Sequence, residues 1–178
     1  MKIENRKPLI TPEYRDLNIE LHYRISSYGI GDRFAPYILE LSAAIGARSV
    51  LDYGCGKGGM RYALLEAGAG LKVYEFDPAI PGKQEPHYAD IVSCADVMEH
   101  VEPEFTESVV AELCQLARKA VFVCVSCISG SKLLADGRSA HINVQSPEWW
   151  ERVFMAHGDF KRRPSPPHEY AAVWIKGK

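Results

Sequence analysis

Apolar positions along this chain change period several times, and the changes mark its elements. Residues 1–10 read as a polar arm. Thr11-Pro12-Glu13 then combines a capping hydroxyl, a first-turn proline and an acid that suits a helix N-terminus. Tyr14, Leu17, Ile19, Leu21 and Ile25 follow at imperfect helical spacing until Ser26–Gly31 breaks the pattern. A second helix is predicted over about Arg33–Ala44, with Phe34, Tyr37, Ile38 and Leu41 on one face and Gly46 closing it. Strand-like runs come next at Ser49–Tyr53, Leu71–Phe76, Asp90–Cys94 and Ala120–Val125. The last of these is continuously apolar, the pattern of a strand covered on both faces. Helical segments fall between them, from Met60 to about Gly68 and again after Pro103-Glu104, where Phe105, Val109, Val110 and Leu113 form the apolar face. Beyond a long connection, Ser126–Gln145, the helix start recurs at Ser146-Pro147-Glu148, and Trp149, Trp150 and Phe154 can pack inward. Phe160–Pro167 and Tyr170–Ile175 read as two antiparallel strands.

Strands alternating with helices predict an α/β fold with a Rossmann-like, doubly wound, mostly parallel sheet. Residues 1–46 form an N-terminal helical cap in this reading, and 47–178 the core of a single domain. Ligands of such sheets bind beyond the carboxyl ends of the strands. Three features fall there: the glycine turn after Tyr53, Asp77, and the segment Ala95–His100.

Composition narrows the setting. With 178 residues the chain can bury one proper core. A formal charge of −2 gives no bulk attraction to nucleic acid or anionic lipid. No stretch approaches the roughly 20 apolar residues that span a bilayer. Met1–Lys7 lacks the apolar region of a signal peptide, so a cytoplasmic protein is expected. Five scattered cysteines fit reduced thiols better than a disulfide framework.

The chemistry starts at Asp52-x-Gly54-x-Gly56-x-Gly58. A structural turn needs one glycine, whereas three at alternating positions after an acid argue for a ligand approaching the backbone. Gly54-x-Gly56-x-x-Gly59 also satisfies the dinucleotide fingerprint, so two ligand classes compete. Asp52 helps to separate them: a carboxylate there repels a pyrophosphate and accepts from an ammonium. Cys124-x-x-Cys127 is a lone pair at a strand end, better read as small buried cysteines than as a metal or redox site, and no metal site is expected.

VLDYGCGKGG resembles the first motif of the class I S-adenosylmethionine-dependent methyltransferases. VYEFDP looks like their second strand with its terminal acid, and DIVSCADVMEHV like the fourth-strand segment of their small-molecule branch. LADGRSAH at 134–141, with Trp149-Trp150 after it, is similar to short methyltransferase-domain proteins of bacteria and phages. The resemblance implies S-adenosyl-L-methionine as cofactor. Asp52, Tyr53, Gly54, Cys55, Gly56 and Gly58 would hold its methionine end, Asp77 the ribose hydroxyls, and Ala95 with Asp96 the floor. It also implies methyl transfer to a small or medium-sized acceptor, glycan-like ones included. His141 is the better-placed base for an oxygen acceptor and His100 the second, although a loop histidine is more often structural.

One departure stands out. Only 12 residues separate Asp77 from Asp90, where the family fits a helix and a third strand. That edge strand is predicted to be missing, with His87, Tyr88 or Asp90 as substitutes on the adenine side. The turn that amino-methylating DNA enzymes need is absent at Ala95–Met98, and no Pro-Cys nucleophile occurs. Two other readings remain open: a nicotinamide-dependent oxidoreductase, weakened by Asp52 and by the lack of a Tyr-x-x-x-Lys pair, and a cofactor-binding but non-catalytic partner subunit.

Overall fold

The computed structural model describes residues 8–177, so most of the expected polar arm lies outside the described residues. Helix α1 (Pro12–Arg24) starts at the predicted cap. Thr11 Oγ1 accepts from the Tyr14 N–H at 3.3 Å and donates to Glu102 Oε1 at 2.7 Å. The chain then crosses 26–31, makes a 3-10 turn at Asp32–Phe34 and enters α2 (Ala35–Ile45), which Gly46 ends at φ 60°. Strand β1 (Ser49–Tyr53), α3 (Gly59–Glu66) and β2 (Lys72–Phe76) follow. After β3 (Ala89–Ala95), 3-10 turns at Met98–His100 and Pro103–Phe105 lead into α4 (Thr106–Leu116). Strand β4 (Ala117–Ser126), α5 (Pro147–Met155), β5 (Lys161–Arg162) and β6 (Glu169–Ile175) complete the order.

The six strands form one sheet in the order β2-β1-β3-β4-β6-β5. The first four run parallel, β6 is antiparallel to β4, and β5 is antiparallel to β6. Strand β2 is an edge, and 77–88 holds turns only, so the predicted loss of a third strand on this side is what the fold displays.

Strand β4 shows why this is a doubly wound sheet. Its residues alternate between faces, as a two-residue period requires. Val121, Val123 and Val125 meet α4 and α5 in one core, which holds Leu113, Trp150 and Phe154. Ala120, Phe122 and Cys124 meet α2 and α3 in the other, with Ile38, Met60 and Leu64. Helix α1 instead contributes Tyr14 and Leu21 to a smaller cluster with Leu134 and Ala140 of the 126–145 connection.

Two element boundaries and one buried position differ notably from the sequence reading. Strand β4 begins at Ala117 because α4 runs straight into it, and Lys119 reaches out to the Gly46 carbonyl at 2.6 Å. Strand β5 shrinks to two residues, since Pro164, Pro166 and Pro167 cannot donate to a ladder. Tyr37, assigned to the buried face of its helix, stays 53% exposed and lies flat over Phe122.

Candidate functional site

A cavity of about 740 Å³ opens beyond the carboxyl ends of β1, β2 and β3, walled by α1, the 26–33 segment and the 126–141 loop. Asp52, Tyr53, Gly54, Cys55, Gly56, Asp77, Ala95, Asp96, His100 and His141 all line it. Gly58 does not; at φ 83° it precedes the first turn of α3 with its face against Glu75. Tyr53 spends its hydroxyl on Glu112 Oε2 at 2.6 Å, and its ring packs into the main core.

The glycine turn is saturated by its neighbours. The N–H groups of Gly54 and Cys55 both donate to the Phe76 carbonyl, at 2.7 and 3.0 Å. Gly56 N–H donates to Asp77 Oδ2 at 2.9 Å, while Asp77 Oδ1 accepts from Ala79 N–H at 2.9 Å. These bonds leave the turn with little to offer a phosphate, and the side chains around it are acidic. Asp52 is buried, and that burial, with Glu75 and Asp77 nearby, pushes its carboxyl up to about 7 against the pull of Lys83. Lys83 itself pairs with Glu75 at 2.8 Å. Burial, together with Asp52 and Asp77, also pushes the Cys55 thiol well up, which makes it an inert wall rather than a nucleophile.

The 26–31 segment lies directly over the turn. Gly29 carbonyl accepts from Lys57 N–H at 2.8 Å, and Lys57 Nζ donates to the Ile25 and Ser26 carbonyls. A Cβ on Gly56 would stand 2.4 Å from the Gly29 oxygen, and one on Gly54 would strike Val97. The missing side chains thus admit the neighbouring protein.

Across the cavity, Asp96 sits at φ 55°, a left-handed conformation costly for a residue with a Cβ. Arg33 holds it there by bonds of 2.9 Å to both carboxylate oxygens and reaches Glu169 at 3.0 Å. Burial keeps the Asp96 carboxyl above its ordinary range despite Arg33. Sequence reasoning missed Arg33 and Glu169, which join the site from remote elements and carry no motif.

The third group is Glu99, His100 and His141. Glu99 is 1% exposed. Burial, then Asp96, pushes its carboxyl up to about 8. His100 Nδ1 lies 2.7 Å from the Ala140 carbonyl, and His141 Nδ1 lies 2.8 Å from the Ile128 carbonyl. A carbonyl only accepts, so both rings carry their proton on Nδ1 and keep Nε2 as the lone-pair nitrogen. Burial, then His141, lowers His100 to about 4. The two rings meet edge to face at 4.7 Å. His22 also lines the cavity, with a buried Nδ1 that has no hydrogen-bond partner among the described residues.

The substitutes expected on the adenine side lie elsewhere. His87 stacks on Tyr74 at 4.7 Å, and Tyr88 packs on the main core. Asp90 accepts from Arg48 N–H at 2.7 Å at the opposite end of its strand. Of the loop after β2, Asp77, Pro78 and Ala79 line the cavity. The two cysteines of the CxxC are free, and burial raises both thiols, Cys127 to about 11.

No family model and no curated protein matches the chain. Solved structures do. The 1,6-didemethyltoxoflavin-N1-methyltransferase of Burkholderia thailandensis, seen with 1,6-didemethyltoxoflavin and S-adenosylhomocysteine, superposes with a TM-score of 0.60 at 19% identity. That match covers 99% of this chain and 94% of the other. Human N-acetylserotonin methyltransferase, seen with SAM, gives 0.61 at 16% identity over 97% of this chain but 60% of its own. Magnesium protoporphyrin IX methyltransferase of Synechocystis PCC 6803, seen with SAH, gives 0.56 at 14% over 97% and 90%. At these identities the likeness is one of architecture: the chain has the Rossmann-like fold of the class I methyltransferases.

Proposed function

We propose that this chain is an S-adenosylmethionine-dependent methyltransferase acting on a small or medium-sized acceptor. The observation that carries the reading is the polarity of the glycine turn. Its first three N–H groups are already bonded to β2 and Asp77, and Asp52, Glu75 and Asp77 surround it. Such a site suits a cationic amino-acid end and a ribose diol, and it opposes the pyrophosphate of a nicotinamide dinucleotide. A volume near 740 Å³ is in the range of cofactor pockets.

In this reading Asp52, Cys55 and the Gly54–Gly56 backbone take the methionine end, Asp77 the ribose hydroxyls, and Ala95 and Asp96 the floor. When bound, the cofactor supplies a methyl group already activated on a sulfonium. The chain then has to orient the acceptor and exclude water. The described N-terminal residues, 8–46, serve as a cap, with the 26–31 segment lying over the turn and Arg33 tying it to Asp96. His141 and His100 are the catalytic candidates, each offering Nε2 at the acceptor end. The three solved neighbours carry names of enzymes acting on a toxoflavin precursor, N-acetylserotonin and a porphyrin. They favour a compact organic acceptor over a macromolecule. A cytoplasmic setting and kinship with short bacterial and phage methyltransferase-domain proteins complete the proposal.

Isothermal titration tests it. Micromolar binding of S-adenosylhomocysteine with no heat from NAD is the expected result. NAD binding without S-adenosylhomocysteine binding would overturn it in favour of an oxidoreductase. Binding without turnover on any of a panel of small acceptors would leave a non-catalytic subunit.

A further inference from the structure

We propose that Glu99, His100 and His141 form a binding site for a divalent transition-metal ion. One ligand-capable atom from each lies within 4.8 Å of the other two. Bonds of about 2.0–2.2 Å to nitrogen and oxygen place ligand atoms about 3–3.5 Å apart, so small side-chain rotations close the set.

The site is built rather than fortuitous. Each ring donates its Nδ1–H to a backbone carbonyl, which leaves Nε2 for a cation; this is the support that metal-bound histidines have. A single stretch of chain serves both: the Ala140 carbonyl orients His100, and the next residue is His141. That stretch is stiffened by the Leu133–Ser139 bridge, by the Ala140 N–H to the Lys132 carbonyl at 2.9 Å, and by Tyr14, whose hydroxyl reaches the Ala140 carbonyl at 3.4 Å.

Glu99 provides the independent observation. Its Oε1 accepts from Ser126 N–H at 3.2 Å, but Oε2 is buried with no hydrogen-bond partner among the described residues. A protonated Oε2 needs an acceptor and an ionised one needs a donor or a cation; either orphan is costly when buried. An ion held by two imidazoles satisfies that oxygen. Two nitrogens and one carboxylate favour zinc, manganese, cobalt or iron(II) over magnesium and calcium, which prefer all-oxygen sets.

Three protein ligands leave coordination positions open to the cavity. On the methyl-transfer reading, those positions take a hydroxyl acceptor: its oxygen bonds to the ion and its proton is released to water. The two Nε2 atoms then act as ligands, and neither serves as the base.

The test is titration of the full chain, dialysed against chelator, with ZnCl₂ and MnCl₂ by calorimetry and with CoCl₂ by visible absorption. One transition-metal ion per chain is expected, with MgCl₂ binding at least about tenfold more weakly. His141→Gln, whose half-buried site tolerates the change, and Glu99→Gln should each weaken binding about tenfold or more, while His157→Ala, which lies outside the cavity lining, should not. A folded wild type that binds no ion, or equal binding by the wild type and both variants, overturns the site. S-adenosylhomocysteine titrated into the same samples separates the two claims. Cofactor binding without metal binding removes the metal site and leaves His141 Nε2 as the base. Metal binding without cofactor binding upholds the site and removes the methyl-transfer reading.

Discussion

Asp52 lies beneath the glycine turn with its carboxyl held near 7 by burial and by Glu75 and Asp77. A carboxyl raised in this way binds its proton more tightly folded than unfolded. Its contribution to stability is therefore largest at low pH and falls as pH rises from about 4 through about 7. An ammonium placed against it favours the ionised form. Cofactor affinity should accordingly rise with pH through about 7, and binding near neutrality should release protons. Calorimetry in two buffers of different ionisation enthalpy reads that release, and Asp52→Asn should abolish it. Asp77 carries a second prediction: Asp77→Ala should weaken S-adenosylhomocysteine binding by about 1–3 kcal/mol through lost charged hydrogen bonds. Asp77→Asn, which keeps one acceptor for Gly56 or Ala79, should lose less. Wild-type affinity in the alanine variant would exclude the ribose role.

The elements of the site are held by contacts between segments distant in the chain. Thr11 caps α1 and also ties it to Glu102 through Oγ1 and its own N–H, at 2.7 and 2.8 Å. Thr11→Ala should cost about 1–2 kcal/mol in urea unfolding, and Thr11→Ser should recover most of it. The glycine turn has a sharper requirement. Gly56, at φ 49°, faces the Gly29 carbonyl so closely that Gly56→Ala should both strain the backbone and lift the 26–31 segment. A loss of about 1–3 kcal/mol of stability is expected, with faster proteolysis in 25–31 than in the wild type. The motif was legible in sequence because glycines at alternating positions after a strand are rare without cause. That part of the cause is the neighbouring segment's backbone was not legible, since nothing in the spacing says which segment will lie over the turn.

At the scale of the molecule, two large cores clamp the sheet, whereas α1 rests on a satellite cluster of four buried residues. Local stability should follow that division. Amide exchange should find α1 and 25–31 opening well before β4, and a bound cofactor should slow exchange there more than anywhere else. Absence of that differential protection would separate the cap from the ligand site. The element order, the parallel sheet and the missing edge strand could all be read in sequence, because period, capping residues and turn formers act over a few neighbouring positions. So could most of the wall residues, since strand ends converge on one edge of such a sheet. Ranges that failed did so for local reasons too: three prolines cut β5 short, and polar Arg118 and Lys119 hid the start of β4. What waited for the folded chain was every pairing between remote segments. Arg33 reaches Asp96 and Glu169, the Tyr28–Gly31 segment covers Gly56 and Gly59, and Ala140-His141 arrives beside Glu99-His100. Each joins positions far apart along the chain through side-chain reach and loop path, and local patterning carries no record of either. Patterning along the chain therefore marks where a ligand binds, and tertiary packing decides which charges and lone pairs meet it.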